Sequence, residues 1–551
     1  MARSFHSPLT RKLREAQAAC EEAQATGAPI DEISDIRAER RARLDRRDVL
    51  AGAAAIGLGA AAWPRRVRAR AKDAPRIVIV GAGLAGLACA QQLWTGRGLA
   101  STIYEASDLV GGRVRSLRGY FANGEVAEMC GEFISSEHVR MRALASLYGL
   151  TLLNTNATLG ADQDTQWFNG ARYPQSALNR AWRDGVWDLF RDAVARAPGA
   201  NYLHASPTAK AWDRLSVPDW INRYVPGGVD GQLGGLCISD VLSEYGGPAE
   251  QQSALNLIYL LGYDTSAASG YQSRSVPLLA GTDEKWTVKG GNDQIVAGLL
   301  EELPQGAVKT GCQLVSVALS GSTYTCTFQS GSSTIDVLAD EVVLAIPPTT
   351  LRDVDLGGVP LPPLKKIQIA ELQLGANAKV FVQVAGRPWA ADGFTGSQLT
   401  DRPIGGGWDS SCYDPGSRGP HAQSVYAFFP GGAAGAGLAA KYGLVSGAQP
   451  APAALVSDYL AQLESILPGV TAAYGVGSKL AFCRDPNIDP FLRGAYSYYQ
   501  VGQYTRFSGV EQLPVGNLHF AGEHTCPQFQ GYMEGAVRSG YRAAAEIQAA
   551  V

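Results

Sequence analysis

Metal-ligand spacing and paired cysteines are missing from this chain. Its 6 histidines are scattered, and its 9 cysteines are an odd number with no C-x-x-C pair among them. That argues against a zinc site and against a disulfide framework. Charge of one sign is not in excess either: 48 Lys and Arg face 51 Asp and Glu, a net charge of −3. Such a balance gives no global attraction to nucleic acid or to an acidic membrane surface. Long hydrophobic runs are also lacking. The apolar stretch that ends at Trp63 covers only about 15 residues and is poor in Leu and Ile, too little for a stable membrane span. What is present is ordinary for a globular protein, with 46% hydrophobic and 18% charged residues. A chain of 551 residues exceeds one compact core, so two or more domains are expected, and the 64 glycines suit an α/β protein with many tight turns.

The most informative stretch is residues 76–118. Ile77 to Val80 is a β-branched apolar run, as in a buried parallel strand. Gly81, Gly83 and Gly86 follow at the spacing of a dinucleotide-binding turn. Gly81 allows the tight turn, Gly83 lets a pyrophosphate approach the backbone, and Gly86 lets the next helix pack on the strand. That helix offers free N–H groups and a positive dipole end to phosphate. Glu105 stands about 20 residues on, after a second strand-like run, where a carboxylate can accept ribose hydroxyl protons. Gly111, Gly112 and Arg113 come next.

Upstream, residues 1–71 read as a leader. Arg46-Arg47 precedes the Ala/Gly-rich apolar run, and Ala69 and Ala71 form an A-x-A-like site. This pattern is that of a twin-arginine export signal, with the mature chain starting near Lys72 and ending in the periplasm or outside the cell. The alternative is a basic arm beside an Ala-rich helix. The polar stretch before the twin arginine is unusually long for such a signal.

Taken together, GAGLAG, YEA and GGRVRS near the start, and GEHT and QGYMEGAVRSG near the end, resemble the flavin-dependent amine oxidases. That family includes monoamine, polyamine and L-amino-acid oxidases. The resemblance covers about residues 74–551. It implies an α/β fold: a Rossmann-like doubly wound FAD-binding domain built from residues 72–150, 281–347 and 485–551. An α+β substrate domain is inserted as residues 151–280 and 348–484.

The resemblance also implies roles. Gly112 and Arg113 would wrap the FAD diphosphate, Val308 would meet the adenine through its backbone, and Gly522 with Glu523 would face the ribityl or diphosphate region. Met533 would back the pyrimidine end of the flavin. Lys379, at the start of an apolar strand, would hold a water against flavin N5. Tyr496 and Tyr532 would form a facing aromatic pair above the ring, with Phe133 in the cavity and Glu132 close by. Mammalian monoamine oxidases bond FAD through a cysteine directly before the first tyrosine, and this chain has Ala495 there, so FAD should be noncovalent. Many relatives carry a tryptophan shortly before residue 489, where this chain has Phe482, Cys483 and Pro486. Venom-type L-amino-acid oxidases place an arginine where this chain has Ile134, which disfavours a substrate carboxylate held in that way.

The implied reaction is oxidation of an amine. The C–H beside nitrogen gives a hydride equivalent to the flavin, leaving an imine that water hydrolyses to an aldehyde or ketone. Dioxygen takes up the electrons as hydrogen peroxide. The alternatives are an L-amino-acid oxidase yielding a 2-oxo acid, and a flavin-binding protein without turnover. The partners are then a small-molecule amine or amino acid and O2, with no nucleic acid, and with a homodimer left open.

Overall fold

The computed structural model describes residues 74–155, 163–168, 170–173, 180–262, 284–414 and 423–551. The leader, with its twin-arginine reading, lies outside the described residues.

Two sheets carry the architecture. The first has five parallel strands in the order Leu518–Phe520, Glu341–Leu344, Ile77–Val80, Ser101–Tyr104 and Val308–Lys309. Its central strand is buried along its whole length, and the period-2 alternation of side chains separates its two faces. Ile77 and Ile79 join a cluster with helices Leu84–Arg97, Asp293–Glu301 and Met533–Ala550. Val78 and Val80 face the opposite way, into a cluster with Leu314, Val317, Cys326 and Phe328. Those four residues come from a four-stranded sheet that adds Ser333–Ala339 and Asp355–Gly358 at its edges. One face of the parallel sheet is thus covered by helices and the other by β structure.

The second sheet has eight strands, centred on Lys379–Val384, Ser424–Phe429 and Gly406–Asp409. Val380, Val382 and Val384 pack on the helix Ala453–Glu464. By the same alternation, Phe381 turns the other way, into an apolar cluster with Phe133, Trp408 and Tyr496. Lys379 shares that second face.

A helical layer from Trp187 to Leu261 completes the molecule. Its core includes Trp182, Trp220 and Tyr259, and it also takes in Tyr499, Phe529 and Tyr532 from the carboxyl-terminal part. Helix Ala254–Leu261 is buried on all sides; its residues are apolar but for Asn256 and the Tyr259 hydroxyl, and the Asn256 amide is satisfied by the Tyr499 carbonyl at 2.8 Å and the Tyr504 hydroxyl at 2.9 Å. Among the described residues no helix is long and apolar enough to cross a membrane.

Candidate active site

At the carboxyl edge of the parallel sheet the chain leaves a groove of about 1200 Å³. This is where open α/β sheets bind ligands. The first strand ends in Gly81, whose φ of +100° suits only glycine and whose missing Cβ would meet the Ala345 carbonyl oxygen at 2.7 Å. A Cβ on Gly86 would lie 2.0 Å from the Gly81 oxygen, so the helix can approach the turn only because it is absent. Gly83 differs from both: a Cβ there meets nothing within 4 Å, and the residue lines the groove.

Glu105 closes one end of the groove. Its carboxylate accepts from the Ala82 N–H at 2.7 Å and from the Ser107 N–H and Oγ at 2.9 Å each. Gly112 and Arg113 line the wall. Arg113 Nη1 donates to Glu523 Oε1 at 2.9 Å and to the Ala495 carbonyl at 2.8 Å. Glu523 is 2% exposed and also accepts from Ser497 Oγ and the Gly531 N–H, each at 2.7 Å. Burial works against its charge, but Arg113, His524 and Ser497 together hold its carboxyl below the ordinary value. Gly522, Tyr532 and Met533 complete the wall, Met533 being the first residue of the last helix.

Val308, whose backbone is expected to meet the adenine, belongs to the edge of the sheet. It stands on the outermost strand, paired with Ile103 and packed on the helical side of the sheet, and it does not line the groove. Cys312, Gln313 and Leu314 form that wall instead. The chain continues past the short edge strand before it turns over the groove.

The turn at residues 128–134 ties the groove to a second centre. Its Met129 and Gly131 N–H groups donate to the carbonyls of Arg115 and Arg113, each at 3.0 Å. There Lys379 is fully buried, and its Nζ donates to the Glu128 carbonyl at 2.9 Å and to Glu132 Oε2 at 2.6 Å. The other oxygen of Glu132 accepts from Trp408 Nε1 at 2.9 Å. The Phe133 ring lies 5.7 Å from Trp408 and 5.9 Å from Tyr413. Ile134 is buried and its N–H donates to the Trp286 carbonyl at 2.6 Å. Tyr496 is buried in the same cluster and its hydroxyl donates to the Ser243 carbonyl at 2.9 Å. Tyr532 belongs to the helical cluster, 5.1 Å from the His138 ring. A cavity of about 750 Å³ is lined by Glu128, Glu132, Thr287, Ser410 and Tyr413, with Lys289 and Asp414 paired at 3.1 Å. Burial pushes the Glu128 carboxyl up to about 8.

Sequence reasoning named Lys379 but not its carboxylate partner. Arg115, from the same GGRVRS run as Arg113, also lines the groove and donates to the Leu109 carbonyl at 3.2 Å. Among the described residues no group of three or more His, Cys, Asp or Glu could hold a metal ion.

A groove with a glycine turn, a carboxylate at one end and an arginine at the other has the donor set of a dinucleotide site. A model of the flavin-containing amine oxidoreductases matches residues 84–548. The chain belongs to that family. It is 25% identical over 500 residues to amine oxidase [flavin-containing] B of Cavia porcellus, covering 86% of each chain. It is 22% identical to an L-amino-acid oxidase of Pseudechis australis, covering 87% of this chain and 88% of that one. The fold matches that of cyclohexylamine oxidase from Brevibacterium oxydans with a TM-score of 0.69 at 22% identity, over 86% of this chain and 99% of the other. The cofactor of this flavoenzyme is FAD, and its groove has the shape and donors to hold it.

Proposed function

We propose that this flavoenzyme oxidises a small-molecule amine rather than an amino acid, with O2 as electron acceptor. The observation that carries the reading is the environment of Lys379. An ammonium with no exposure to water is held at the floor of an aromatic cluster, joined through the 128–134 turn to the cofactor groove.

In this reading Gly83, Glu105, Gly112, Arg113 and Glu523 hold FAD, which when bound supplies the two-electron acceptor. Ala495 leaves the attachment noncovalent. The chain's own residues position the substrate and keep water out. Phe133, Tyr496 and Trp408 offer apolar and ring surface to an amine, and Tyr496 with Tyr532 would form the aromatic pair. A neutral amine is the reactive form, and no dedicated base is required of the protein.

The preference for an amine rests on charge. An amino acid brings a carboxylate that needs a cation. In the cavity beside Glu132, among the described residues, the one lining cation, Lys289, is already paired with Asp414, and the other ionisable side chains besides Tyr413 are acids. A peroxide assay across cadaverine, phenethylamine, arginine and phenylalanine tests this. Peroxide from the two amines and none from the amino acids is expected, and activity confined to the amino acids would reverse the assignment. The same proposal includes export. The twin arginine at 46–47 directs the FAD-loaded, folded chain through a twin-arginine route to the periplasm or beyond.

A further inference from the structure

The Lys379 ammonium begins a strand that is buried throughout. A charge at that depth is costly unless it is paired and hydrogen-bonded. Two of its three protons are engaged, one by the Glu128 carbonyl and one by Glu132 Oε2. The Trp408 ring lies 5.3 Å from Nζ. Glu132 is in turn fixed from two sides. Trp408 Nε1 holds one carboxylate oxygen, and Asn292 Nδ2 donates to the Glu132 carbonyl at 2.6 Å and to the Gly131 carbonyl at 3.1 Å.

The other groups facing this point are compensated elsewhere. Arg484, the strand-register partner of Lys379, pairs with Asp489 at 2.9 Å. Burial raises the Glu128 carboxyl toward its neutral form, and burial keeps the Tyr413 hydroxyl protonated. Among the described residues Glu132 is the one carboxylate bonded to the Lys379 ammonium.

We propose that Glu132 is the positioning residue for Lys379 in the oxidative half of the reaction, holding the ammonium charged in a buried site and orienting its remaining N–H toward the place where oxygen is reduced. This rests on the reading of the site as an FAD oxidase. Dioxygen takes up the two electrons first drawn from the amine, together with two protons, and leaves as hydrogen peroxide. Negative charge develops on oxygen along the way, and a fixed cation stabilises it. Glu132 touches neither substrate nor oxygen. It acts through Lys379.

Three variants test this: Glu132→Gln, Glu132→Asp, and Glu132→Gln combined with Lys379→Met. The first readout needs no turnover. Thermal unfolding should show a lower midpoint for Glu132→Gln, because an uncompensated charge is left buried, and most of the loss should return in the double variant. If Glu132→Gln yields no folded protein, the double variant still decides: recovery of folded protein supports the assignment, and failure to recover overturns it. The second readout is the rate of reoxidation by O2 after photochemical reduction of the bound flavin without any amine. Glu132→Gln should slow it by roughly tenfold, with the alkaline limb of the pH profile moved down because the ammonium loses its anionic partner. Glu132→Asp should restore the limb toward that of the unaltered protein. A Glu132→Gln profile that superimposes on the unaltered one, or a midpoint that does not change, overturns the assignment. Reduction by light uses no amine, so the shift with no amine turnover keeps Glu132 in its role and overturns only the amine reading.

Discussion

Gly83 and Gly86 stand three residues apart and do opposite work. Gly83 faces open groove, whereas a Cβ on Gly86 would lie 2.0 Å from a backbone oxygen that cannot move aside. Gly86→Ala should therefore cost at least about 2 kcal/mol of stability. Gly83→Ala should leave the unfolding midpoint of the FAD-free protein unchanged and lower FAD retention, read as the ratio of flavin to protein absorbance after gel filtration. Arg113→Ala should strip FAD as well, since it removes a groove cation and leaves the buried Glu523 carboxylate unpaired. These residues were legible in the sequence because the demands on a phosphate-binding turn are local and fall on glycine. Glu132 as the partner of Lys379 was not legible, because 247 positions separate the two and only the packing of the 128–134 turn against the second sheet brings them together.

Between elements, the outer parallel strand and the last helix are joined by an ionic clamp. His519 Nε2 meets Glu341 Oε2 at 3.0 Å, and Nδ1 meets Glu546 Oε2 at 2.8 Å. Burial disfavours the imidazolium, but the two glutamates outweigh it and raise the His519 value. For Glu546, burial raises and His519 with Arg542 lower, and the net direction is down. The histidine's contribution is full below the unfolded value of about 6.5 and is lost as pH rises through the folded one. The contribution of Glu546 is present above the unfolded glutamate value of about 4.3 and is lost as pH falls below it. Unfolding midpoints across this range should decline on the alkaline side, and His519→Gln should flatten that decline. The strands themselves were readable. Four consecutive β-branched residues announce a strand buried on both faces, but they do not say what covers each face. That the second face carries a β-sheet depends partly on Asp355–Gly358, a strand that is half glycine and gives no strand pattern.

At the scale of the molecule, the groove is assembled from residues near 81, 113, 314, 346, 491 and 523, so no continuous segment contains it. The ends of this assembly were visible because each carries a glycine-rich turn into a helix. The helical layer, where specificity is expected, has no such punctuation, and its residues declare only that they are apolar. The export proposal also belongs at this scale. Residues 1–73 fused to a folded reporter should carry it across the inner membrane of a bacterium with a twin-arginine system, and replacing Arg46 and Arg47 by lysine should abolish transport, read by fractionation. The central claim, that an amine delivers electrons to FAD in this protein, is tested most directly without oxygen. Phenethylamine, cadaverine, arginine and phenylalanine are added one at a time to the purified FAD-loaded protein under anaerobic conditions, and the visible flavin band is followed. The account predicts bleaching by an amine and none by the amino acids. A band untouched by every amine, or bleached by the amino acids alone, would contradict it.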